Sequence, residues 1–215
     1  MILKLLLLVY ILFFSGLYLP VKIIFAILFL YVIQDLQVHS DQMKSRPLPE
    51  TLPPGTVLSY AYNNLLERSL SPLLPYRLVF SRYPHHAIVV THQDKPHVLE
   101  WRYYPLEQLD QYTIKKLPFG YISLIPLDTY LEEVSKDGVV YSIHRPPRAM
   151  NLPYDVNKVK EIVRGNNYMT CTYFVSSYLT PLASRENYPL LFTPERCQSL
   201  LKQSGWKQDY YVYTR

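Results

Sequence analysis

Two cysteines stand in this chain of 215 residues, and one of them, Cys171, opens the apolar segment TCTYFVSSYL. Thr170 or Asn167 can cap a helix that starts there. A cysteine in the first turn of a helix aims its sulfur at unpaired backbone N–H groups. The helix dipole then lowers the thiol from its usual pKa of about 8.5. A neighbouring imidazole lowers it further and carries the proton, which is the arrangement of nucleophilic acyl transfer.

Candidate bases are concentrated. His85, His86, His92 and His97 fall within 13 residues, while His39 and His144 are distant in sequence. Strand alternation in HHAIVVT puts His85, Ala87 and Val89 on one face and His86, Ile88 and Val90 on the other. The small Ala87 leaves room beside His85. In HVLEW, Glu100 is in phase with Val98 and flanked by apolar Leu99 and Trp101, so it is expected to be partly buried. Burying an acid without a partner is costly, and a histidine on the adjacent strand would supply one. Plainer readings exist for the same residues. Cysteine is often a small buried packing residue, and Cys197, inside a helix after Arg196, reads that way. Four clustered histidines could hold a metal, but no His-x-x-x-His helix or carboxylate–cysteine set accompanies them. No metal or cofactor is expected.

The elements that must position these residues are legible as patterns. PPG marks a turn before TVLSYAY, which reads as a strand or short helix. Two strands, HHAIVVT and HVLEWRY, flank the turn HQDKP. PLDTYLEEV has helical spacing, and GVVYSIHR reads as a strand. PYDVNKVKEIVRGN is a helix ended by Gly165 or the asparagines. TPERCQSLLKQSG is another, with Thr193 as cap, Pro194 at the first position and Gly205 as stop. WKQDYYVYTR closes as a strand. The class is α+β, with an antiparallel sheet packed on helices.

Residues 5–33 are apolar apart from Ser15, Gly16 and Lys22. A bilayer span takes about 20 apolar residues, so a retained transmembrane helix, kinked at Pro20, is expected. The alternatives are a cleaved signal peptide, which lacks a small-x-small cleavage site here, and a re-entrant hairpin pivoting at Pro20. The expected division is an anchor over 1–34, a polar linker over 35–50 and a folded domain over 51–215, in a single-pass membrane protein. Outside the anchor, 20 basic face 17 acidic side chains, too even a balance for a nucleic-acid footprint. With 49% hydrophobic residues the chain can bury a core without a disulfide, and reduced thiols are expected.

Six segments taken together resemble circularly permuted papain-like proteins of the NlpC-type superfamily, nearest its YiiX-like branch. They are LPPGTVLSY, HHAIVV, HVLEW, GYISLIPLDTYL, VVYSIHR and YMTCTYFVSSYL, in family order over roughly residues 51–180. Lecithin retinol acyltransferases are relatives, and large DNA viruses encode members. The resemblance implies a permuted papain-like fold with an antiparallel sheet or half-barrel. It implies Cys171 as nucleophile, His85 as base and Glu100 as the group orienting the imidazole. His97 is the alternative third member, because acyltransferase relatives carry a histidine on that second strand. It also implies hydrolysis or acyl transfer on a peptide amide or lipid ester. The anchor expected over residues 5–33, separately, would tether that site to a membrane, of a host cell or a virion. The alternative is a catalytically inactive structural or binding protein on the same fold, such as a virion component. Two departures stand out: Thr56 replaces the usual Asp after PG, and bulky Trp101 replaces a small residue that could otherwise widen the substrate cleft.

Overall fold

The computed structural model describes residues 16, 18–49, 51–61, 85–102, 107–118, 120–135, 140–164, 170–179 and 194–212. In chain order these form α1 (Leu19–Met43), β1 (Arg46–Pro47), β2 (Val57–Ala61), β3 (His85–His92) and β4 (Lys95–Arg102). A 3-10 turn (Glu107–Tyr112), β5 (Thr113–Leu117), β6 (Gly120–Pro126) and α2 (Leu127–Ser135) follow. The remainder is β7 (Val140–Arg145), α3 (Val156–Arg164), α4 (Cys171–Tyr178), α5 (Pro194–Gln203) and β8 (Lys207–Val212). The expected stops and caps at Gly165, Asn167 and Thr193 lie outside the described residues.

The strands form one eight-stranded sheet in the order β1-β8-β7-β2-β3-β4-β6-β5. The expected antiparallel sheet is corrected to a mixed one, because the two-residue β1 runs parallel to β8. The chain is therefore α+β. Side chains alternate between the two sheet faces, and each face has its own core. Val57, Ile88, Val90, Leu99 and Ile122 pack with Val159 of α3, Phe174 and Val175 of α4 and Leu201 of α5. On the opposite face Leu58, Ala87, Val89, Val98 and Ile143 pack with Leu127, Tyr130, Leu131 and Val134 of α2. Those four α2 positions are spaced at i, i+3, i+4 and i+7, the spacing of one helix face.

The N-terminal expectation is corrected as well. Among the described residues no helix is long and apolar enough to cross a membrane, so the transmembrane helix expected over residues 5–33 is not supported. Residues 5–15 lie outside the described set. Helix α1 starts at Leu19, which puts Pro20 in its first turn, where a missing N–H costs nothing. It then runs past the apolar stretch into the polar QDLQVHSDQM and packs beside β8 and β7. Residues 35–43, expected as linker, belong to this helix.

The PPGT turn docks the start of β2. Thr56 N–H donates to the Pro53 carbonyl at 3.1 Å, with Gly55 at φ +86 in the third position, which only glycine adopts freely. Thr56 also donates its hydroxyl to the Pro53 carbonyl at 2.6 Å. It thus closes the turn with both its backbone and its side chain. Trp206 Nε1–H reaches the Gly55 carbonyl at 3.2 Å.

Candidate active site

The β3–β4 hairpin sets the register on which the site depends. Gln93 and Asp94 have φ of +50° and +60°, the backbone of a two-residue hairpin turn whose twist matches that of its strands. That turn pairs His92 with Lys95, and five steps down the ladder it pairs Ala87 with Glu100. His85 is then diagonal to Glu100 on one face, within reach of a long side chain. Its Nε2 lies 2.8 Å from Glu100 Oε2. From the other side, Tyr60 of β2 sits directly opposite His85. Its ring centroid is 4.8 Å from the imidazole, and the two planes are tilted by 49°. With Nε2 committed to the carboxylate, Nδ1 is the nitrogen left for a thiol.

Cys171 is the first residue of α4. Thr170 is the cap: its backbone is extended at φ −113 and ψ 155, and its hydroxyl accepts the Tyr173 N–H at 3.1 Å. At the far end of α4, Tyr178 donates its hydroxyl to the Pro153 carbonyl at 3.0 Å and accepts the Asp155 N–H at 2.8 Å. The helix is pinned at both ends, so the sulfur is held in place. Thr170→Ala is expected to cost about 1 kcal/mol of folding stability, read from a urea unfolding curve.

Cys171 belongs to the core on the face of Ile88 and Val90, opposite the face that carries Ala87 and Glu100. His85 is the first, half-buried residue of β3, and from that strand end its imidazole and the thiol act on each other. Burial pushes the Cys171 thiol up, but the charge of His85 and a hydrogen bond from it outweigh this and hold the thiol well below its ordinary value. Burial lowers His85, and the Cys171 charge and hydrogen bond, followed by Glu100, raise it to about 9. Both shifts favour the charged forms, a thiolate beside an imidazolium.

Glu100 is the hub behind them. It is fully buried, and each of its oxygens is occupied. Oε2 accepts from His85 and, at 3.2 Å, from the Tyr130 hydroxyl of α2. Oε1 accepts from Arg102 Nε, and the Arg102 guanidinium lies 5.6 Å from the Tyr130 ring centroid. Burial alone would raise the Glu100 carboxyl; Arg102 first and then His85 hold it below its ordinary range. Burial, then the Glu100 charge, pushes the Tyr130 hydroxyl well above its ordinary value, so it stays a donor. Arg102 and Tyr130 escaped the sequence reading. Arg102 was within reach of it, two residues after Glu100 and so on the same strand face. Tyr130 comes from a helix 30 residues away, and no local pattern points to it.

The other candidates fall elsewhere. His97 is three residues from Glu100, on the opposite face of β4. Its Nδ1 donates to the Lys95 carbonyl at 3.1 Å, and its ring meets His92 edge-on at 5.2 Å. It stands at the hairpin end, away from His85. His86 is fully buried on the sheet face that packs α4, and after His85 it also helps to lower the Cys171 thiol. His144, also fully buried, is lowered to about 3 by burial, then by His86 and Lys202, and is neutral at ordinary pH. Cys197 packs in the helix-side core. Burial and then the Cys171 charge raise its thiol far above the ordinary value. Neither Cys171 nor Cys197 is in a disulfide. Trp101 belongs to the same core, with its ring over Gly120, where an added Cβ would lie 2.7 Å from Cε2. Among the described residues no three His, Cys, Asp or Glu side chains gather in a metal-binding group.

Comparisons of the chain with protein-family models, with curated proteins and with solved structures find no match.

Proposed function

We propose that the protein is a thiol hydrolase or acyltransferase of permuted papain-like type, acting on an amide or ester of a peptide or lipid. The Cys171 thiolate adds to the carbonyl carbon, and the electron pair of the C=O bond moves to oxygen. Backbone N–H groups at the start of α4 are available to that oxyanion. When the carbonyl re-forms, the C–N or C–O bond breaks and His85 gives its proton to the departing amine or alcohol. His85, now neutral, takes a proton from water or an acceptor hydroxyl, which attacks the thioester and releases Cys171 as thiolate. Glu100 keeps the imidazole oriented throughout.

The observation that carries this reading is the 2.8 Å contact of His85 with a fully buried Glu100, alongside a thiol at the first position of a capped helix. The test is alkylation of the full chain with limiting iodoacetamide across pH 5–9, with mass mapping of the two cysteines. Selective labelling of Cys171 with a midpoint well below the ordinary thiol value is expected, with Cys197 unlabelled. A Cys171 that reacts no faster than free cysteine at every pH would rule the enzyme out and favour a binding protein on this fold.

A further inference from the structure

The proposed chemistry places two negative charges, the Cys171 thiolate and the Glu100 carboxylate, against one positive charge on His85. A buried cluster with a net charge of −1 is costly, and the usual escape is protonation. Glu100 is the member with no contact to water, since it is fully buried. It would take the proton first and so cease to accept from the imidazole as an anion. The groups around it decide whether this happens. Around Glu100 stand His85 from β3, Tyr130 from α2 and Arg102 from its own strand, with Tyr60 of β2 beside Arg102, while His86 of β3 faces Cys171. Tyr130, held well above its ordinary value by burial and then by the Glu100 charge, is neutral at ordinary pH. Arg102 alone adds a permanent positive charge.

The geometry suits that task. Arg102 Nε donates to Glu100 Oε1, the oxygen that His85 does not use. Arg102 is itself buried, and its guanidinium lies over the Tyr130 ring, 5.6 Å from its centroid, where a cation is attracted by the ring face. Tyr130 in turn donates to Oε2, so helix α2 holds both the carboxylate and its counter-charge.

Resting on the catalytic reading above, we propose that Arg102 is a positioning residue. It completes an alternating row of charges, Cys171 negative, His85 positive, Glu100 negative and Arg102 positive, and thereby keeps Glu100 ionised and Cys171 a thiolate. Arg102 touches neither substrate nor sulfur; it acts through Glu100.

The readout is the midpoint of Cys171 labelling by iodoacetamide, which needs no substrate. In the full chain, Arg102→Met is expected to raise that midpoint by about one pH unit or more, the scale on which a neighbouring opposite charge shifts an acid. Arg102→Lys, which keeps the charge, is expected to recover at least half of the shift. If the Met variant does not fold, Arg102→Gln, polar and uncharged, is read in its place. In a Glu100→Gln background, adding Arg102→Met is expected to produce no further rise, because the two act in series. A low wild-type midpoint that neither Arg102→Met nor Arg102→Gln moves overturns the role of Arg102 and leaves the enzyme reading intact. A further rise in the Glu100→Gln background overturns the claim that it works through Glu100. An ordinary wild-type midpoint removes both readings together.

Discussion

Replacing His85 with alanine is expected to slow acylation by an activated ester such as p-nitrophenyl acetate by about 10² to 10⁴-fold, the usual contribution of a positioned acid–base group. Two losses combine. The thiolate loses its counter-charge, so the Cys171 midpoint rises towards the ordinary value of about 8.5. The leaving group also loses its proton donor. Alkylation by iodoacetamide isolates the first loss and falls less, by about tenfold at pH 6, because a thiol of higher pKa is a better nucleophile once ionised. The gap narrows towards pH 9 and can reverse there. The wild-type pH profile carries a matching signature. His85 is held protonated up to about pH 9 by Cys171 and Glu100, so turnover should fall as pH rises through that value, while thiolate labelling should not. The raised pKa also gives a stability contribution that is complete below about 6.5, histidine's ordinary value, and lost as pH rises through 9. Turnover that stays level past pH 10 would place the transferable proton elsewhere.

The second large effect is on folding. Glu100→Ala leaves the Arg102 guanidinium buried without its anion, and removing one member of a buried ion pair costs about 3–5 kcal/mol. For a chain of this length that corresponds to a fall in melting temperature of roughly 6–20 °C. The paired replacement Glu100→Met with Arg102→Met removes both charges and fills the space with apolar atoms, and most of the stability should return. Thiol reactivity should not return, since His85 still lacks its anionic partner. Calorimetry on the three proteins, with Cys171 labelling on the same samples, separates the two roles. Equal melting temperatures for wild type and Glu100→Ala would mean that Arg102 finds another partner.

The site was more legible in the letters than the sheet that carries it. Period-two alternation was enough to put His85 with Ala87 and Glu100 with Val98, and the cost of burying a lone acid pointed across to a histidine. Thr170 was readable as a cap because hydroxyl side chains accept N–H groups at helix starts. Strands β5 and β6 were not read as strands, because TIKKL carries two lysines and GYISLIP is too short and apolar to separate strand from helix by period. The full length of α1 was missed for a different reason. Hydropathy marks where residues 34–43 turn polar, but a helix packed beside a sheet needs only part of its surface apolar. Pro20 misled in the same region: inside a helix it would bend the axis, whereas in the first turn it simply begins one.

The position of β8 has a consequence for how the molecule is made. Residues 207–212 lie between β1 and β7, strands that leave the ribosome long before them. During synthesis β7 therefore waits with one row of peptide groups open, next to segments already able to collapse. Pairing across such distances in sequence is slow, and open strand rims invite sticking to other nascent chains. Expression in the presence of a holding chaperone, or at reduced temperature, should therefore raise the yield of correctly assembled protein more than it raises total synthesis.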